Sequence, residues 1–159
     1  MGFTSSIVVV EDVLRSRPLY EGIFHLKVSG DFGIYNVGFE GGLSLYQRAL
    51  FEEISGTQVD LGKHHNVVLY FEIDDLEGME KTIAAHGFEF IHPIREQPWK
   101  QRNFRFYDYD NHILEVAERM EAVFQRLSDE GSTIEEMAKS TGYPVDQVML
   151  EIEKLKAKS

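Results

Sequence analysis

The chain has no cysteine. Disulfides, thiolate nucleophiles and cysteine-based metal sites are therefore excluded, and the composition fits a reducing compartment. Proline is scarce, with 4 residues, and the only tryptophan is Trp99. Apolar runs such as Ile7–Val10 are far too short to span a bilayer. No basic segment followed by an apolar stretch and a small-residue cleavage site opens the sequence, so a soluble, cytoplasmic protein with no membrane partner is expected. Positive charge is also in short supply. Lys and Arg number 16 against 27 Asp and Glu, for a net charge of −11. Phosphate attraction supplies most non-specific affinity for nucleic acid, so this balance argues against a nucleic-acid partner.

What is present is a core. Of 159 residues, 43% are apolar and 12% aromatic, enough for one domain with an appendage. Aromatic residues at this density can line a cavity as well as fill a core.

The chain reads as a pattern used twice. Ile7–Val10 is a β-branched strand, Asp12 caps a short helix running towards Gly22, and Pro18 interrupts that helix. Strands are expected at Phe24–Val28, Ile34–Phe39 and Leu43–Gln47, punctuated by glycines. A polar joint, Glu52–His65, follows. The second pass has a strand at Asn66–Ile73, an Asp74 or Asp75 cap, a helix over Leu76–His86 ended by Gly87, and a strand at Phe88–Ile91. Asp12 and Asp75 play the same role 63 residues apart.

The last hairpin is the most informative piece. Arg102–Tyr107 alternates as a strand does, Asp108-Tyr109-Asp110-Asn111 is turn chemistry, and His112–Ala117 is a second strand with Glu115 at its middle. On the first of these strands Arg105 and Tyr107 share one face and Phe104 and Phe106 the other. Two phenylalanines call for a dry layer against helices, which turns Arg105, Tyr107 and Glu115 the other way. An Arg–Glu pair across neighbouring strands is the purely structural explanation of the same residues.

This hairpin, with the doubled layout, resembles the glyoxalase/bleomycin-resistance/dioxygenase (vicinal oxygen chelate) superfamily over about residues 3–118. The resemblance implies an α+β fold: two βαβββ modules, at about 3–50 and 66–118, forming a curved mixed sheet around a cleft. Residues 119–159 form a helical extension outside it. Enzymes of that family hold a divalent metal through a His, Glu or Gln early in the first strand of each half and a Glu late in the last strand of each half. Carried over, the first-strand positions fall seven residues before the capping aspartates, on Ser5 and Val68. The mirror of Glu115 falls on Leu45 or Tyr46. Only Glu115 is a metal ligand by type, so no resident cofactor is expected and a divalent metal is the alternative. His64 and His65 lie too far from the expected register and read as solvated loop residues. His112 reads as packing or capping the turn, His92 as preceding a strand break, and His25 as a strand residue of core or pocket.

The resemblance also implies a small-molecule pocket. Its candidate ligand-binding residues are Tyr46, Trp99, Arg102, Arg105, Tyr107 and Glu115. Aromatic walls with guanidinium forks point to an aromatic, anionic ligand. Family pockets are often completed by a second chain, which implies a homodimer. No Gly-x-Ser-x-Gly elbow or phosphate-cradling loop offers another chemistry.

In residues 119–159, Ser132/Thr133 with Glu135/Glu136 form a capping-box pattern, and Ala138, Gly142 and Val148 stand at helix-turn-helix spacing. The second helix lacks Lys and Arg in its first turns, which argues against DNA reading. A lid, brace or dimer contact is the expected role. Three readings follow: a metal-independent small-molecule-binding protein; a metal-dependent lyase, isomerase or dioxygenase of the same fold; and an interaction or regulatory module acting through the helical tail.

Overall fold

The computed structural model describes residues 2–158. Two four-stranded mixed sheets carry the doubled pattern. In the first, β1 (Ser6–Val10) runs parallel to β4 (Leu43–Gln47), and β3 (Asn36–Phe39) and β2 (Val28–Asp31) follow antiparallel. In the second, β5 (Val68–Ile73) runs parallel to β8 (Ile113–Glu118), with β7 (Arg102–Tyr107) and β6 (Phe90–Glu96) beyond. The strand orders β1-β4-β3-β2 and β5-β8-β7-β6 are the same topology used twice.

Each module has its capped helix. Asp12 accepts the N–H groups of Leu14 and Arg15 at the start of α1 (Val13–Arg17). Asp75 accepts Gly78 N–H at the start of α3 (Leu76–Ala85). Pro18 does not end the first helix. It opens a wider π-helical stretch, Pro18–Ile23, that buries Leu19 and Tyr20.

Four expectations are corrected. Phe24–Lys27 is not strand: His25 sits at φ +55 and is exposed, so it is neither the strand residue nor the core residue expected. The joint between halves opens with an amphipathic helix, α2 (Arg48–Ser55), capped by Gln47 and ended by the left-handed Gly56. β6 is longer than expected and carries His92 inside it, because register shifts on both sides of His92 accommodate Pro93. His65 is not merely solvated: its Nε2 lies 2.6 Å from the Tyr107 hydroxyl.

Contacts divide the chain into two compact units. One comprises the residues up to Val67 together with Tyr107–His112; the other comprises Val68–Phe106 with the residues from Ile113 on. The first packs Val8, Val10, Val13, Tyr20, Val37, Phe39 and Leu45. In the second, Phe104 and Phe106 are fully buried and touch Phe90, as two phenylalanines on one strand face require. Each such ring contributes roughly 1.5–3 kcal/mol by leaving water.

The tail packs into a three-helix assembly. α4 (Met120–Asp129), α5 (Ile134–Thr141) and α6 (Val145–Lys158) bury Val123, Phe124, Leu127, Met137, Val148 and Ile152 against one another. Thr133 and Glu136 close the capping box at α5, and Gly142 takes the left-handed conformation that ends it. Arg126 ties α4 to the second sheet, donating to Glu118 Oε1 at 3.0 Å and to the Lys100 carbonyl at 2.7 Å. Among the described residues no helix is long and apolar enough to cross a membrane.

Candidate functional site

Strand alternation puts Asn103, Arg105 and Tyr107 on the face of β7 opposite Phe104 and Phe106. On the neighbouring β8, Glu115 meets Asn103 and Arg105. Its Oε1 accepts Asn103 Nδ2 and its Oε2 accepts Arg105 Nε, both at 2.6 Å. Glu115 is only 8% exposed, so the pair is largely desolvated and each partner needs the other. The row continues outward. Gln97 Nε2 donates to Asn103 Oδ1 at 2.7 Å, and Arg105 Nη1 lies 3.3 Å from His92 Nε2. Burial, aided by the charges of Arg95 and Arg105, lowers the His92 pKa, so this imidazole is neutral at neutral pH. Its Nδ1 then donates to the Pro93 carbonyl, leaving Nε2 as the acceptor for Arg105.

A second group lies beside the first. Trp99 Nε1 donates to Gln101 Oε1, and Gln101 Nε2 donates to both the Tyr70 hydroxyl and the Glu118 carbonyl. Tyr70 is paired in register with Glu115. Burial, with the carboxylates of Glu72 and Glu115, pushes its phenol up to about 12, so it stays a neutral donor. Arg102 belongs elsewhere. Its guanidinium is taken by Glu118 at 2.8 Å and Glu77 at 2.6 Å. Burial opposes ionisation of Glu118, but Arg102 and Arg126 outweigh it and hold that carboxyl below its usual range.

The remaining two candidates fall in the other unit. Tyr107 is bonded to His65 and lies under the Lys63 ammonium, 4.4 Å from its ring centroid. Tyr46 lines a cavity with Phe32, Tyr35, Asn36 and Leu50. The structure thus brings Arg105 and Glu115 into contact, and places Trp99 beside their row through Gln101. Arg102 is committed to other carboxylates. Asn103, His92, Gln97, Gln101 and Tyr70 were missed from the sequence. Only Asn103 carried a signal, its place two residues before Arg105.

The turn that joins β7 to β8 is held by side chains. Asp108 Oδ1 accepts the N–H groups of Asp110 and His112, and Asn111 takes the left-handed conformation at φ +66. Tyr20 donates its hydroxyl to Asp108 Oδ2 at 2.8 Å, and Asp110 accepts Glu11 N–H, Arg15 and Ser16. His112 Nδ1 lies 3.0 Å from Asp108, so it caps the turn as expected. Burial pulls the His112 pKa down, but Asp108 and then Asp110 carry it above 6.5. Burial pushes Asp108 up, but His112 and Tyr20 outweigh it and the net shift is downward.

A family model for the glyoxalase-like domain matches residues 3–121. The chain belongs to the glyoxalase-like family. It is 40% identical to a protein of unknown function from Agrobacterium tumefaciens str. C58, over 75% of this chain and 94% of that one, with a TM-score of 0.66. A glyoxalase-related enzyme from Fulvimarina pelagi (16% identity, 76% and 89% coverage, TM-score 0.66) shares the fold. So does the fosfomycin resistance protein FosX from Listeria monocytogenes (19% identity, 86% and 98% coverage, TM-score 0.58). A comparison with curated proteins finds no match.

Members of the glyoxalase-like family often use a divalent metal, and the donor set can be tested for one. Register decides the mirror position. The parallel pairs Val10–Gln47 and Ile73–Glu118 correspond, so Glu115 corresponds to Ser44. This corrects the expectation of Leu45 or Tyr46: Leu45 is fully buried in the core. The four family positions therefore hold Ser5, Ser44, Val68 and Glu115. Ser5 and Ser44 hydrogen-bond to each other at 3.1 Å, Val68 offers no lone pair, and Glu115 is already engaged by Arg105 and Asn103. One paired carboxylate with two neutral hydroxyls does not fit a conventional divalent site. Among the described residues no group of three or more His, Asp or Glu is placed to hold a metal.

Proposed function

We propose that this chain is a glyoxalase-like protein that binds a small aromatic molecule without a metal. One observation carries the reading: Glu115, the only metal ligand by type at the four family positions, is closed by Asn103 and Arg105 at 2.6 Å each. The ligand-binding residues carried into the proposal are Arg105, Glu115 and Trp99 in one unit and, taken separately, Tyr46 and Tyr107 in the other. Arg102, held by Glu118 and Glu77, stands apart from them. Arg102 gives its fork to Glu118 and Glu77 and Arg105 gives its Nε to Glu115, so both cations are already balanced by carboxylates, which favours a neutral or cationic ligand over an anionic one. The proposal includes a homodimer in a reducing, cytoplasmic compartment. Ile7, Val68 and Tyr70, each about half exposed, support the dimer, and the lack of cysteine supports the compartment.

Elemental analysis of untagged protein tests the reading, before and after chelation and reloading with Zn, Mn, Ni or Fe. The expected result is no stoichiometric metal under any loading. About one metal per chain, lost in Glu115→Ala, overturns it.

The second reading is an enzyme of the same fold. It is favoured by Tyr107, whose phenol is held by His65 and faced by Lys63, an arrangement able to pass a proton. Activity against a panel of small electrophiles, abolished in Tyr107→Phe with the fold intact, would establish it.

A further inference from the structure

A cavity of about 400 Å³ lies within the first unit, lined by Phe32, Tyr35, Asn36, Tyr46 and Leu50. It uses parts outside the metal positions of the family: the tip of the β2–β3 hairpin, β4, and α2 of the joint between halves. The backbone that carries its walls is held before any ligand arrives. At the hairpin tip Asp31 accepts Gly33 N–H at 2.9 Å, which shapes the left-handed turn beside Phe32. Phe32 N–H donates to the Asn36 carbonyl, and Gln47 N–H donates to the Tyr35 carbonyl, both at 2.9 Å. Gln47 Oε1 accepts Leu50 N–H at 2.8 Å and sets the first turn of α2. A hollow whose backbone is held in this way costs little backbone ordering to fill.

The lining selects its occupant. Three aromatic rings and one leucine make the lining largely apolar, with Asn36 as its one polar side chain of amide type. Among the described residues no Lys or Arg lines it, and the whole chain carries a net charge of −11. An anion would enter without a partner, against the field of the protein. A cation is drawn by that field and by the negative faces of the rings. One N–H of the Asn36 amide is spent on the Leu45 carbonyl at 2.8 Å, while Oδ1 remains an acceptor for a ligand N–H. Phe32 and Tyr35, 66% and 54% exposed, would gain cover from such an occupant.

We propose that this cavity binds a planar aromatic cation bearing an N–H donor. The inference rests on the reading of the chain as a small-molecule binder, shares Tyr46 with it, and names the class of ligand for this cavity.

Proflavine, a planar diaminoacridine cation, is the probe. Its fluorescence anisotropy is titrated with the full-length chain, with anthracene-9-carboxylate as a flat anion of similar size. Saturable one-to-one proflavine binding is expected, with the anion at least about tenfold weaker. Phe32→Ala and Tyr46→Ala should each weaken proflavine by about tenfold or more. Circular dichroism confirms their folds, and Phe32→Ala keeps the test alive if Tyr46→Ala fails to fold, because Phe32 is mostly in solvent. Equal affinity for the two probes, unsaturable binding, or an affinity unmoved in both variants overturns the proposal. Metal-free protein that rejects proflavine loses only this ligand class. Stoichiometric metal in the elemental analysis defeats the binding reading itself, whatever proflavine does.

Discussion

The two modules share a strand order and build it from opposite materials. In the first, the turn before the last strand is glycine: Gly41 and Gly42 sit at φ +90 and +87, and a Cβ on Gly42 would stand 2.9 Å from the Thr4 carbonyl oxygen. In the second, the corresponding turn is held by Asp108, Asp110 and His112. Ser44 and Ser5 make one weak bond where Glu115 holds Arg105 and Asn103. The fold tolerates both because backbone pairing and the buried face are common to them. The open face is free to vary, and there the second module stores charge while the first stores aromatic surface.

The sharpest way to break this contrast is Arg105→Ala. It leaves the buried Glu115 with Asn103 but no cation, and should cost about 3–5 kcal/mol in urea unfolding. A loss below about 1 kcal/mol would mean a solvent-screened pair and a Glu115 still free to ligate. Tyr20→Phe comes next. It removes a buried donor from Asp108 and should cost about 1–3 kcal/mol by the same measurement. Ser44→Ala, the mirror of Glu115, removes a part-buried hydroxyl pair and should cost only about 0.5–1.5 kcal/mol. If it costs as much as Arg105→Ala, the two positions are not chemically unequal.

The smallest expected effect is a slope. His112 has a folded pKa raised above 6.5, so its contribution is complete below that value and fades as pH rises through the folded pKa. Thermal midpoints measured from pH 6 upward should fall gently in the natural chain, and His112→Gln should flatten that fall. Asp108 acts on the other side. Its folded pKa lies below 3.8, so its contribution is present above that value and is lost as pH falls through the folded pKa. The glycine turn of the first module contributes neither slope.

Much of this fold could be read from residues alone. The capping aspartates, the β-branched first strand, the Phe104/Phe106 face and the Thr133 capping box all act within a few residues of chain, and each appears where local chemistry puts it. The stretch around His25 misled because alternation implies a strand only where a neighbour completes the ladder. At α2, helix period was hidden by a polar composition that also reads as linker. Of the site, the pairing of Arg105 with Glu115 was legible from opposed strand positions. The parts supplied by Tyr70, Gln101 and His92 were not, because they come from other segments of chain.

By itself, then, the sequence determines which faces are apolar and where helices are capped. Those properties depend on neighbours one to four residues away. Tertiary structure alone decides that Ser44 rather than Leu45 or Tyr46 mirrors Glu115, because strand register is a long-range pairing that a one-residue slip would reverse. It alone decides that Arg102 goes to Glu118 while Arg105 goes to Glu115, because partner choice between equal charges follows distance and burial. It also brings a hairpin tip, a strand and a joint helix around one aromatic cavity, an arrangement that no local pattern encodes.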